Sequence, residues 1–186
     1  MDPDWTNDTT LTAKCRMLLS GALHGKDTLF LSDNFEDLTR EVISKIRDDE
    51  EKRMLEADEL ILMFGASLLE RLGALRRHVI SQRMRQLARL LITFKITNGQ
   101  TSLMELIDAS RFYDVVVCVR GVCGDAQEQT VAGVKMFTSP SYGLHIGHSI
   151  VKCCMIKRGR AIRLKNHEMK QEAVSFQELM EGQDWI

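Results

Sequence analysis

An all-α domain of roughly six to eight helices is what this sequence predicts, on three observations. Only two prolines occur and leucine is used 22 times in 186 residues, which favours long uninterrupted helices over a turn-rich sheet protein. Hydrophobic residues at 44% and charged residues at 27% are globular averages and exclude wholesale disorder. Apolar residues then recur at three- and four-residue spacing in one segment after another. A chain of this length forms one domain, with residues 1–31 read as a flexible N-terminal arm and residues 32–186 as a single helical domain.

The arm carries a weak apolar cluster, Leu11, Met17, Leu18, Leu19 and Leu23, before Gly25, enough for one helix at most. Asp33 and Glu36 resemble a capping box, and Phe35, Leu38, Val42 and Ile46 follow at helical spacing. The acidic run Asp48-Asp49-Glu50-Glu51 suits the start of another helix, where carboxylates meet the positive end of the macrodipole. Leu55, Leu62, Leu69 and Leu72 carry helical structure on to Gly73, with Asp58 placed to restart it internally.

Residues 76–95 give the clearest amphipathic pattern. At about 100° per residue, Val79, Ile80, Met84, Leu87, Leu90, Leu91 and Phe94 share one face, while His78, Gln82, Arg85 and Arg89 line the opposite one. Asn98-Gly99 stops this helix, and Ser102 with Glu105 caps a short one through Leu106 and Ile107. Tyr113 to Val119 is β-branched enough for a strand, but Phe112, Val116, Val119 and Cys123 keep helical spacing and Gly124 closes the run, so a helix is predicted. Residues 125–138 read as a loop. Ser139-Pro140 opens the next helix, whose Leu144, Val151, Met155 and Ile162 form a stripe expected to pack, with Gly143, Gly147 and Cys154 beside it. A terminal acidic helix over 168–181 follows from Ala173, Phe176, Leu179 and Met180.

Charge is strongly segregated. Residues 1–60 hold 15 acids and 8 bases, residues 61–165 hold 6 acids and 16 bases, and residues 166–186 hold 5 acids and 1 base. Attraction to phosphate follows local rather than total charge, so the basic middle suits a polyanion despite a net charge of −1. The acidic ends also suit it, as covers within the fold or between subunits.

Several function classes receive no support. The most apolar stretch, Leu60 to Leu69, is interrupted by Gly65, Ala66 and Ser67, against ~20 apolar residues for a membrane span. Cys15, Cys118, Cys123, Cys153 and Cys154 are scattered, and Met1-Asp2-Pro3-Asp4-Trp5 has neither a basic nor an apolar leader region, so an intracellular protein with reduced thiols is expected. Soft ligands exist in Cys118, Cys123, His145, His148, Cys153, Cys154 and His167, yet no C-x-x-C pair occurs and His148 and Cys153 lie about 140° apart around a helix. No metal and no cofactor is expected. G-x-S-x-G, HExxH and P-loop motifs are missing. Lys152 and Lys157 flank Cys153-Cys154 and would depress a thiol pKa, but Cys154 points to the apolar side, and no catalytic residue is assigned.

The basic faces remain. His78, Gln82, Arg85 and Arg89 on one helix, and Lys152, Arg160 and Arg163 on another, are the candidate nucleic-acid-binding residues, of types that contact phosphates and base edges. Charged helix faces are ordinarily just solvated. What favours a function is that residues 76–95 carry six Lys/Arg and no acid, whereas a solvated helix usually mixes both signs for i,i+4 pairing. Arg83 falls within the apolar stripe and reads as an internal ion-pair partner or a snorkelling side chain.

Five segments carry a family resemblance: Ile46-Arg47-Asp48-Asp49-Glu50, Asp58 to Gly65, Arg83 to Leu91, Ser139-Pro140-Ser141 and Leu144 to Ser149. In order and spacing, residues 42–186 resemble the helical region of Crypton-like, transposon-derived tyrosine recombinases. The resemblance implies a helical domain like the core-binding domain with which such enzymes clamp DNA, and a nuclear location. The family's catalysis requires an H-x-x-R pair and a C-terminal tyrosine. Here the residues three after each histidine are Asp27, Ser81, His148, Val151 and Lys170, and the only tyrosines are Tyr113 and Tyr142. The expectation is therefore a non-catalytic DNA-binding or DNA-associated module. The alternative is a protein-protein interaction scaffold that forms homo-oligomers or docks an acidic partner.

Overall fold

The computed structural model describes residues 35–99, 102–131, 134–137 and 140–182; the expected arm and the capping residues Asp33 and Ser139 lie outside them. The described residues build an all-α multi-helix domain of eight α-helices. In order these are α1 (Glu36–Glu41), α2 (Glu50–Ala57), α3 (Glu59–Leu72), α4 (Arg77–Asn98), α5 (Leu103–Leu106), α6 (Phe112–Val122), α7 (Pro140–Arg163) and α8 (His167–Gly182). Between α6 and α7, where the sequence reads as a loop, the backbone forms a short antiparallel hairpin of β1 (Asp125–Val131) and β2 (Val134–Phe137). Its closing end pairs Thr130 with Lys135 and Val131 with Val134, and β-branched residues there favour the pleated backbone. Among the described residues no helix is long and apolar enough to cross a membrane.

Helix α4 is the central element and touches α2, α3, α6 and α7. Its Ile80, Met84, Leu87, Leu90, Leu91 and Phe94 are fully buried, as the amphipathic pattern predicts, and each such side chain stabilises the fold by about 1.5–3 kcal/mol. The helix ends where Gly99 adopts φ 71° and its N–H donates to Lys95 O, a left-handed cap that only glycine adopts without strain. Against α4 lies Gly65 of α3: a Cβ there would sit 2.5 Å from Met84 Sδ. The missing side chain therefore sets the separation of the two helices.

Polar groups fix the helix starts. Asp49 accepts from Lys52 N at 3.0 Å as the N-cap of α2. Asp58 is 4% exposed and caps two helices at once, accepting from Ile61 N at 2.9 Å in α3 and from Leu103 N at 2.7 Å in α5. Burial pushes its carboxyl above the ordinary range, partly offset by those backbone donors. Lys157 is also buried; its ammonium donates to Met104 O at 2.9 Å, Ile107 O at 2.8 Å and Glu172 Oε2 at 2.6 Å, which ties α5, α7 and α8 together.

Besides the loop that is a hairpin, two helical expectations need correction. The first helix is shorter than its spacing implies: Leu38, Val42 and Ile46 are buried, but α1 stops at Glu41 and a 3-10 turn over Ile43–Lys45 carries the chain onward. The packing face of α7 is inverted. Leu144, Met155 and Ile162 are 51%, 44% and 57% exposed, while Ile146, Ile150, Cys153, Cys154 and Ala161 are buried. Small residues and thiols let α7 approach its neighbours closely, so the side with smaller side chains faces inward and the larger aliphatic stripe faces out.

Candidate anion-binding cleft on the central helix

His78, Gln82, Arg85 and Arg89 recur three and four residues apart, so they follow one face of α4. The structure brings all four into one cleft of about 440 Å³, completed by Lys45, Arg77, Ser81, Gln86 and Tyr142. Lys45 comes from the turn after α1, and Tyr142 from the first turn of α7. No carboxylate lines this cleft among the described residues.

Carboxylates instead hold the two arginines from behind. Arg85 Nη2 donates to Asp49 Oδ2 at 2.7 Å and lies 2.6 Å from Glu51 Oε2. The second contact is a charge pair off the N–H axis, since Glu51 Oε2 accepts no hydrogen bond. Arg89 clasps Glu51 Oε1 through Nε at 2.9 Å and Nη2 at 2.7 Å, and its Nη1 donates to Tyr142 Oη at 3.0 Å. The guanidinium also stands 5.9 Å from the Tyr142 ring centroid, within cation–π range. The hydrogen bond donated by Arg85 holds Asp49 below the usual carboxylate range, and the hydrogen bond that Arg89 donates to Glu51 raises the guanidinium above its ordinary value. The acidic run at the start of α2 is thus more than a solvated first turn: it caps the helix and supplies the acids that α4 lacks.

Gln86 is 3% exposed and lines the cleft, yet its Oε1 has no hydrogen-bond partner. His78 and Arg77 line the cleft as exposed side chains, with no ion pair to either among the described residues.

The three candidates on α7 do not join this cleft. Arg160 forms an ion pair with Glu59 at the start of α3 and its Nη1 lies 3.6 Å from Met63 Sδ. Arg163 is exposed near the end of α7. Lys152 lines a separate cleft of about 320 Å³ between α3, α4 and α7, with Arg71, Arg83 and His148. Of the two sequence expectations for Arg83, an internal ion pair or a snorkelling side chain, the first is not met among the described residues. Its Nη1 is buried with no hydrogen-bond partner, and burial lowers its pKa.

Arg77 and Ser81 were legible from the α4 periodicity, being eight and four residues before Arg85. Lys45 and Tyr142 were not, because only the tertiary fold brings them to α4. Cys153 and Cys154 are fully buried; burial pushes Cys153 well above the ordinary thiol range and Cys154 up to about 12, outweighing the nearby lysines. No group of His, Cys, Asp and Glu converges to hold a metal among the described residues. Comparison of the chain with protein-family models, curated proteins and solved structures finds no match.

Proposed function

We propose that this chain is a non-catalytic helical module that associates with nucleic acid through the α4 cleft. The observation that carries the reading is the convergence of His78, Gln82, Arg85 and Arg89 with Lys45 and Arg77 on one concave surface that no carboxylate lines among the described residues. Asp49 and Glu51 orient the arginines and leave donors over, since Arg85 uses only Nη2 toward them and a guanidinium has five N–H groups. Phosphates fit Lys45, Arg77 and the unused N–H groups. Tyr142 offers a ring edge and Gln86 an unused acceptor for a base amino group. The resemblance to the DNA-clamping region of tyrosine recombinases points the same way and brings with it a nuclear location and transposon descent.

The ion pairs dictate the choice of variant. Replacing Arg85 or Arg89 by glutamate would place a third carboxylate against Asp49 and Glu51 and unsettle the fold, so loss of binding would be ambiguous. Arg77 and His78 are exposed at the rim. Arg77→Glu with His78→Glu is expected to reduce duplex binding at least ~10-fold in fluorescence anisotropy with the melting temperature unchanged. If about five phosphates are engaged, log K falls against log[salt] with a slope near −4 to −5. Affinity unchanged in the double variant, or a flat salt dependence, would overturn the reading.

A further inference from the structure

A second surface, on the opposite flank of α4, shares no lining residue with the first cleft. Its floor is the ~320 Å³ cleft between α3, α4 and α7, where Phe64, Leu68 and Val79 meet Arg71, Arg83 and Lys152. Its wall is the outward stripe of α7, Leu144, Val151, Met155 and Ile162. From Leu144 to Ile162 the stripe runs 18 residue steps, about 27 Å of helix at ~1.5 Å per residue. Among the described residues no carboxylate lines the cleft, and Arg71, Arg83 and Lys152 form no ion pair there. Arg83 Nη1 is shielded from water with no acceptor, an arrangement that costs free energy until an acceptor arrives.

We propose that this stripe and cleft dock an amphipathic helix of a partner protein whose apolar face is flanked by Asp and Glu. The apolar residues fit the i, i+3, i+4, i+7 anchors by which a helix lies in a groove, and the cations at its border fit the flanking carboxylates, one of them meeting Arg83. A small anion would fill the cleft and leave the 27 Å stripe uncovered. A nucleic-acid backbone has no apolar face for Leu144, Met155 and Ile162. A membrane surface is flat, whereas Arg83 lines a concave site with its Nη1 shielded from solvent. A second copy of this chain would bring the same cation-bordered α7 stripe against this one, and its acidic α8 already buries Ala173, Phe176 and Met180 in its own core.

The test uses the full chain and a fluorescently labelled synthetic helix of about 20 residues, with leucines at heptad a and d positions and glutamates flanking them. The controls are a scrambled peptide of equal composition and a lysine-for-glutamate version. Saturable binding of the acidic helix alone is expected. Met155→Asp and Arg83→Gln should each weaken it at least about tenfold, with duplex DNA binding and circular dichroism unchanged. Equal binding of the scrambled peptide, no binding of the acidic helix, or insensitivity to both substitutions would overturn the proposal. So would binding of anionic phosphatidylserine vesicles in place of the peptide, which would make the stripe a membrane surface. A dimer seen by light scattering and lost in Met155→Asp, without peptide binding, would make it a self-interface and overturn it likewise.

Discussion

Arg83 and Arg85 stand two residues apart on one helix and meet opposite fates. On the Arg85 flank, α2 delivers Asp49 and Glu51 to the guanidiniums of Arg85 and Arg89. On the Arg83 flank, the neighbours are α3 and α7, which bring Phe64, Leu68, Arg71, Lys152 and Met155 but no carboxylate among the described residues. Both flanks look alike in sequence, as basic residues on an acid-free helix. What separates them is which element packs alongside, so a one-signed helix does not by itself mark an open binding face. The flank with oriented, half-satisfied arginines suits a ligand that takes their remaining donors. The flank with an unsatisfied arginine beside exposed aliphatic residues suits one that brings both a carboxylate and an apolar face.

The largest expected effect acts on the spacing of α3 and α4. Gly65→Ala would place a methyl 2.5 Å from the sulfur of the fully buried Met84, so this thioether must shift within a packed core. The cost expected from overpacking is about 1–3 kcal/mol, read as a drop in the urea midpoint. Because α3 lines only the Arg83 cleft, peptide docking should suffer while DNA binding survives in the folded fraction. A neutral Gly65→Ala would mean the helices are not held at this distance.

Next comes Glu51→Gln, which removes the carboxylate shared by Arg85 and Arg89. The side chains are partly exposed, 18%, 25% and 47% for Glu51, Arg85 and Arg89, so the loss is well short of a buried pair, about 1–2 kcal/mol. Freed from their competitor, the arginines should bind duplex DNA several-fold more tightly. Arg83→Gln on the other flank removes a shielded, unpaired nitrogen and should change stability by no more than about 0.5 kcal/mol. Equal destabilisation by the two substitutions would erase the distinction between the flanks.

The same contrast shows what the sequence makes legible. The α4 core face, the helix start within the acidic run 48–51, the restart at Asp58, the cap at Ser102, the glycine stops at 73, 99 and 124 and the helical character of 112–122 are all local signals, and the structure matches them. The inward face of α7 was not legible, because hydrophobicity alone ranks Leu144, Met155 and Ile162 above Cys153, Cys154 and Ala161; close helix packing rewards small size instead. The roles of Lys157 and Arg160 were hidden for another reason. Counted as part of a basic middle, they are engaged by Glu172 and Glu59 from neighbouring helices, partners at sequence separations that no periodicity reveals. The cleft was half legible: its α4 residues follow from spacing, whereas Lys45, Tyr142 and the guarding carboxylates come only with the fold.

The smallest effect separates the flanks by pH. Arg85 holds the Asp49 carboxyl below its usual value, so the folded state binds this proton less readily than the unfolded chain does. A depressed carboxyl adds stability that is fully present above the unfolded pKa, about 3.9 for aspartate, and is lost as pH falls through the folded value. The urea midpoint should therefore decline on the acid side of about pH 4, and Asp49→Asn should flatten part of that decline while leaving the neutral limb lower and nearly level. The Arg83 cleft has no lining carboxylate to titrate among the described residues. Arg83→Gln should leave the shape of the acid limb untouched, and an acid limb altered as much by Arg83→Gln as by Asp49→Asn would show that a carboxylate reaches Arg83 after all.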